Sequence, residues 1–165
     1  MSEVAAHRVI DSPIGRISIS ASSRGIVKVD ILTSPPRSEF SHSEAADDHC
    51  AEAAAQLTEY FAGDRKTFDL SLDLEGTDFQ QRVWQGISSI GFGEQLTYRE
   101  LAEIAGKPLA ARAVGGAVGA NPVPILIGCH RVLGSGGRIT GYSGGEGLKT
   151  KRWLLSHEQI GYAND

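Results

Sequence analysis

Cysteine is scarce: Cys50 and Cys129 are the two in 165 residues, and they form no CxxC spacing. That excludes a disulfide framework and a zinc ribbon, and it predicts a reducing, cytoplasmic setting. No apolar run approaches the roughly 18 residues that a membrane span needs, so no membrane partner is expected. The opening stretch MSEVAAHRVIDSPIG has no basic start leading into an apolar core, and no signal peptide is predicted. A phosphate loop of the form GxxxxGK followed by Ser or Thr is missing too. Seven glycines nevertheless crowd into the fourteen residues GSGGRITGYSGGEG, 134–147, a loop with accessible backbone N–H groups and one aromatic residue, Tyr142.

What is present is ordinary globular material, 41% hydrophobic and 22% charged, in a length that suits one large domain or two small ones. The net charge of −4 disfavours nucleic acid as a partner, but the charge is unevenly spread. Residues 1–76 carry 7 Lys/Arg against 13 Asp/Glu, and residues 77–165 carry 9 against 7. Such asymmetry points to the second part as the one that faces an anion.

The fold class expected is α/β (α+β). An N-terminal domain of mixed strands and a helix, 1–76, precedes a C-terminal helical domain, 77–165, with a helix-turn-helix. The stretches RVIDSPIGRISISAS and GIVKVDIL alternate with period two and predict strands joined by a hairpin at Ser-Arg-Gly. SPPRSEFSHSE reads as a loop. EAADDHCAEAAAQLTEYFAGD predicts a helix stopped at Gly63, and TFDLSLDLEG predicts one more strand. In DFQQRVWQGISSI, Phe79, Val83, Trp84 and Ile87 share a helical face, with Thr77 or Asp78 as cap. Thr97 and Glu100 form a capping box ahead of a stripe of Leu101, Ile104 and Ala105, which Gly106 ends. A second short helix starts between Leu109 and Ala111 and stops before Asn121-Pro122. From Ala110 to Ala120 that helix holds only Ala, Gly, Val and Arg112, and each of its three glycines costs about 1 kcal/mol of helix stability. Either it packs tightly on a neighbouring helix, or it enters a nucleic-acid groove with Arg112 reaching further. LKTKRWLLSHEQIGY predicts a last helix with Trp153, Leu154 and Ile160 inward and Lys149, Lys151 and Arg152 outward. Glu158, near its C-terminal end, opposes the helix dipole and implies a partner elsewhere.

The chemistry-bearing stretch is PVPILIGCHRVLG. Val123 to Ile127 reads as a strand heading into a core, and then Cys129, His130 and Arg131 follow Gly128. A thiol beside an imidazole suggests an activated nucleophile. On an extended strand the two side chains would point to opposite faces, so a break at Gly128 or a bridging water is required. Glu158 is the natural orienting third group. His49-Cys50 is the same dipeptide inside the Ala-rich helix and reads as structural. His7, His42, His49 and Cys50 have no metal-ligand spacing, and neither a metal nor a cofactor is expected.

Five segments, TYRELAEIAG, AARAVGGAVGANP, PVPILIGCHRV, GYSGG and WLLSHE, resemble in order and spacing those of the O6-alkylguanine-DNA alkyltransferases, also called methylated-DNA–protein-cysteine methyltransferases. The resemblance is close over 77–165 and loose before that. It implies a stoichiometric repair protein that binds double-stranded DNA by the minor groove and flips out O6-alkylguanine. The alkyl group then moves irreversibly to a cysteine, with O4-alkylthymine a lesser substrate. Carried onto this chain, Cys129 is the acceptor, His130 the base acting through a water, and Glu158 the group that orients the imidazole. Asn121 ties the recognition helix to the active-site turn, and Tyr98 assists the leaving guanine. Arg112 fills the gap left by the extruded base, while Ala110, Ala111, Gly115 and Gly119 meet the groove, whose width of about 6 Å admits small side chains. Val132, Tyr142, Ser143 and Gly144 line the base pocket. A monomer is implied, with cooperative binding along DNA left open.

In one place the chain departs from the family's pattern. Proline precedes the Cys-His-Arg of the family, and Gly128 stands there in this chain, which predicts looser placement of Cys129 and slower transfer. Two other readings compete. A helix-turn-helix module without chemistry would not need Cys129, and a cysteine hydrolase would leave the helix-turn-helix and Arg112 unexplained.

Overall fold

Period-two patterning near the N-terminus does produce strands. In the computed structural model, which describes residues 3–32 and 43–163, the strands β1 (Ala6–Ile10), β2 (Arg16–Ser22) and β3 (Gly25–Leu32) form an antiparallel sheet in sequence order. The β2–β3 hairpin turns at Ser23-Arg24, with Ser22 opposite Gly25. Ile17, Ile19 and Ala21 are wholly buried, as the alternation requires. The helix α1 (Glu44–Phe61) is capped by the Ser43 side chain, which accepts from Ala46 N, and Gly63 follows it at φ +84°. Its Ala46, Cys50, Ala53, Leu57 and Tyr60 fall on one buried stripe against the sheet. Cys50 is therefore core, and burial pushes its thiol up to about 11. The predicted loop SPPRSEFSHSE, with His42, lies almost entirely outside the described residues.

TFDLSLDLEG is not a strand. It runs extended but makes one bridge, Leu72 to Ile26, through Ile26 N to Ser71 O and Asp73 N to Ile26 O, each 2.8 Å. The buried Gln56 amide on α1 takes the backbone of Asp69 in both directions, at 3.0 and 2.9 Å, and so occupies groups a longer ladder would use. The close approach also explains Gly25, where a Cβ would sit 2.6 Å from Ser71 O.

The chain divides into two compact units, Met1–Glu75 and Gly76–Asp165. The second begins with α2 (Asp78–Ser88), whose cap Thr77 forms a reciprocal capping box with Gln80 and which buries Val83, Trp84 and Ile87. The two-residue strand β4 (Leu96–Thr97) leads into α3 (Tyr98–Ile104), and the Thr97–Glu100 capping box is formed as expected. Leu101, Ala102 and Ala105 are buried, but Ile104 is 53% exposed, because α3 ends there and the following turn, with Gly106 at φ +80°, carries the chain away. Then comes α4 (Ala111–Gly119), with Ala110 as its cap rather than a helical residue. It packs on α2 and α3 through Val114, Ala117 and Val118, and the Trp84 indole N–H donates to Ala117 O at 2.9 Å.

Val123 to Ile127 forms no strand. Ile125 adopts φ +76°, Ile127 N bonds back to Val123 O at 3.0 Å, and the run is a buried turn. The apolar residues were read rightly as core, but a short buried run has no period that separates strand from turn. Cys129–Arg131 is a single 3-10 turn that leads into β5 (Val132–Leu133), the parallel partner of β4. The last helix is α5 (Leu148–His157), and Leu154 and Leu155 are its buried face. Lys151 was expected outward and is in fact 1% exposed. Its stem lies inside, and its Nζ donates to Val132 O at 2.8 Å.

Candidate active site

Local sequence places the thiol. Asn121, just past α4, accepts from Val123 N at 3.0 Å and donates to Ile127 O at 2.9 Å, which closes the turn that carries Cys129. Cys129 N then reaches Ile127 O at 2.7 Å, a tight turn centred on Gly128 at φ −74°, ψ 61°. Those angles do not call for glycine. What glycine leaves is room, since a Cβ there would lie 3.0 Å from the Arg131 guanidinium.

That guanidinium is pinned. Arg131 Nε donates to Glu158 Oε1 at 2.8 Å, Nη2 to Oε2 at 3.1 Å, and Nη1 to Ile90 O at 2.7 Å. Glu158, the C-cap of α5, also accepts from Gly93 N at 3.2 Å and faces His130 Nε2 through Oε2 at 2.6 Å. The carboxylate can only accept, so Nε2 carries the proton and Nδ1 presents a lone pair. Nδ1 is buried and has no hydrogen-bond partner among the described residues. Burial holds the His130 pKa below its usual value against the pull of Glu158, with Arg131 and Lys151 adding to the depression. The expected misfit of Glu158 with the helix dipole is thus resolved by an imidazole, a guanidinium and a backbone N–H.

Burial also raises the Cys129 thiol above its ordinary range, and a hydrogen bond from Asn121 and the charge of Lys151 oppose that rise. Burial brings Lys151 itself down to about 8, a shift that the Cys129 charge resists. The site therefore has two cations and one carboxylate at its base, and a thiolate would balance the charge.

Above Cys129 opens a cavity of about 860 Å³. Tyr98, Tyr142 and Ser143, expected at the base pocket, line it; Ala111, Arg112, Gly115 and Gly119, expected at the DNA groove, line it as well, together with Val118, Thr140 and Gly141, which sequence reasoning missed. Asn121, His130 and Glu158 do not line it, and the latter two are buried beneath. Val132 is a correction: it lies wholly buried in β5, its carbonyl turned to Lys151, because the 3-10 turn that starts at Cys129 carries the chain away from the cavity. Gly144 is likewise not a lining residue. Gly115, Gly116 and Gly119 have no atom within 4 Å of a built Cβ, so the glycines of α4 are not where it packs on its neighbours. They leave open space along its outer face, where the Ser143 hydroxyl donates to Gly119 O at 3.2 Å. Among the described residues no three His, Cys, Asp or Glu side chains group as a metal site.

A helix-turn-helix, a glycine-lined helical wall and a thiol backed by His and Glu define a two-unit protein with one candidate nucleophile under an open cavity. Comparison with known proteins agrees with that class. The model of the 6-O-methylguanine DNA methyltransferase DNA-binding domain matches residues 78–160, and that of its ribonuclease-like domain matches 6–74. A methylated-DNA–protein-cysteine methyltransferase of Mycobacterium tuberculosis H37Rv is 42% identical over 153 residues, covering 93% of this chain and 92% of its own. One from Methanosarcina barkeri is 44% identical over 152 residues, covering 92% and 95%. The crystal structure of the Mycobacterium tuberculosis protein in complex with DNA is similar at a TM-score of 0.82 and 43% identity, over 93% of this chain and 92% of that one. The chain belongs to the 6-O-methylguanine DNA methyltransferase family.

Proposed function

We propose that this protein repairs double-stranded DNA by moving the alkyl group from O6 of an alkylated guanine onto the Cys129 sulfur, once per chain. The observation that carries the reading is the Cys129 thiol lining the cavity, next in the chain to His130, whose Nδ1 is buried with no hydrogen-bond partner among the described residues. Kinship with proteins named methylated-DNA–protein-cysteine methyltransferases supports the same reaction.

The Cys129 proton passes through one water to His130 Nδ1, while Glu158 holds Nε2–H and compensates the charge that forms. The S–C bond forms as the O6–C bond breaks, and the electron pair stays on the purine. Tyr98 donates a hydrogen bond to that purine, which finally takes back the proton that the thiol gave up. The product thioether has no proton to lose and no route back, which makes the reaction stoichiometric. Extrusion of the base costs a few kcal/mol, and Arg112 at the cavity rim fills the gap in the stack. The open α4 face, with Ala111, Gly115 and Gly119, meets the minor groove. Residues 77–165 carry this chemistry, and residues 1–76 support it. The acting species is a cytoplasmic monomer, and among the described residues no helix is long and apolar enough to cross a membrane.

The test is incubation with duplex DNA carrying O6-methylguanine, followed by intact mass and peptide mapping. One methyl on Cys129, saturating at one per chain and abolished in Cys129→Ser, is the expected result. Many products per chain, or transfer that survives Cys129→Ser, would overturn it.

A further inference from the structure

Tyr98 begins α3 and Thr140 lies in the glycine-rich loop ahead of α5, yet Thr140 Oγ1 donates to the Tyr98 phenol oxygen at 3.1 Å. Both residues line the cavity above Cys129. The threonine is held from several sides. A Cβ built on Gly134 would lie 3.1 Å from Thr140 Cγ2, so the threonine methyl rests against that glycine. Gly134 N bonds to Arg138 O at 2.8 Å, and Ile139 N bonds to Ala163 O at 2.9 Å, which fixes the backbone just before Thr140. A β-branched side chain is already stiff at χ1, and here its methyl and hydroxyl each have an assigned neighbour.

A phenol oxygen has one proton to give and two lone pairs. When Thr140 occupies a lone pair, the phenol O–H remains as the donor, and donation into the oxygen polarises that O–H. An orientation set before the base arrives needs no reorganisation as charge develops on it.

We propose that Thr140 is a positioning residue for the alkyl transfer, aiming the Tyr98 O–H at the purine displaced from the alkyl carbon and acting only through Tyr98. The role rests on the function proposed above. No bond to Thr140 forms or breaks. Its hydroxyl keeps its proton, and the step it serves is the hydrogen bond from Tyr98 to the electron-rich leaving purine.

The test is a double-mutant cycle with the full chain, in single-turnover transfer from O6-methylguanine duplex at saturating DNA, with lesion-DNA affinity and melting temperature measured alongside. Thr140→Val is expected to slow transfer about fivefold, the weight of one ordinary hydrogen bond, with affinity unchanged. Thr140→Ser keeps the donor and stays within about twofold of the parent. In a Tyr98→Phe background Thr140→Val adds no further loss. An equal loss in that background, a loss confined to affinity, or a Ser variant as slow as Val would each overturn the proposal while leaving the parent reaction standing. A parent chain that takes no methyl on Cys129 would instead overturn the parent reading, and this role with it.

Discussion

His130 and Glu158 meet through Nε2 and Oε2 at 2.6 Å, with both side chains sealed from solvent. The same carboxylate is held by Arg131 on its own oxygens, so Glu158 orients the imidazole without giving it a full private counter-charge. Burial, with the charges of Arg131 and Lys151 adding to it, keeps the imidazole neutral, and Nδ1 presents its lone pair.

Replacing Glu158 by Gln should be severe on two counts. It leaves the Arg131 guanidinium buried without its anion, a change that costs roughly 3–5 kcal/mol in comparable buried pairs. It also frees the imidazole to rotate or to change tautomer, so transfer should slow by at least about a hundredfold. Urea unfolding and single-turnover transfer measure the two effects separately. A variant as stable as the parent would contradict the buried pairing.

The pH dependence has a definite sign. The folded pKa of His130 lies below its ordinary value, so the unfolded chain takes up that proton first. Stability from this group is complete above about 6.5, the unfolded value, and falls as pH drops through the window beneath it. Between pH 7 and pH 5 the melting temperature of the parent should fall more steeply than that of His130→Asn. Transfer should weaken over the same acid range, because a protonated Nδ1 cannot accept the thiol proton. Parallel curves for the two proteins would refute the assignment.

Lys151 sets the thiol's reactivity from beneath. Lys151→Met removes a cation near Cys129 and the donor to Val132 O, while a linear apolar side chain fills the space. The pH midpoint of Cys129 carboxymethylation by iodoacetate should rise, because the lysine charge holds the thiol down against burial. Lys151→Arg keeps the charge and should move the midpoint less. An unmoved midpoint in the Met variant would show the lysine to be a packing residue.

Gly128 and Arg131 should couple. Gly128→Ala forces the pinned guanidinium to yield, and the loss should exceed the stabilisation of about 0.4–1 kcal/mol that the stiffer unfolded chain supplies. In an Arg131→Lys background the obstruction is gone and the Ala change should turn neutral or stabilising. Gly128→Pro matches the existing φ of −74° but brings the same Cβ against Arg131, so it is made in the Arg131→Lys background, where it tests whether looseness at this turn slows transfer. A rate and a melting temperature both unchanged by proline would dismiss that explanation.

Arg112→Ala should discriminate between substrates. If the guanidinium replaces a base in the stack, transfer from a duplex lesion falls about tenfold, while transfer from the same lesion in a single strand changes by no more than about twofold. Equal losses on both substrates would make Arg112 a phosphate contact instead.

Much of this was legible in the sequence, for physical reasons. The Thr97–Glu100 capping box, the β2–β3 hairpin and the Ala-rich helix α1 ending ahead of Gly63 are local patterns, and each is formed. Cys129, His130 and Glu158 were singled out from chemistry and resemblance, and His130 and Glu158 do meet. What escaped depended on long-range geometry. Lys151 sits among charged neighbours on a helix whose exposed face it seemed to share, and only a carbonyl from β5 gives its ammonium a place inside. Val123–Ile127 has strand composition, but Asn121 claims the backbone of Val123 and Ile127 and bends the segment into a turn. Thr140 had no signal in the sequence, since its partner lies 42 residues away.

The indole of Trp84 grips α4 from behind through the Ala117 carbonyl, while the glycines at its front face open space where a Cβ would stand and the Ser143 hydroxyl reaches the Gly119 carbonyl at 3.2 Å. Retention and exposure are thereby separated: the helix is anchored by one edge and open along the other. Methyl groups added at Gly115, Gly116 or Gly119 would strengthen the helix by about 1 kcal/mol apiece without disturbing a single internal contact. A molecule that forgoes that reinforcement three times keeps its thinnest wall thin, and the tolerance of that wall is set by whatever presses against it from outside.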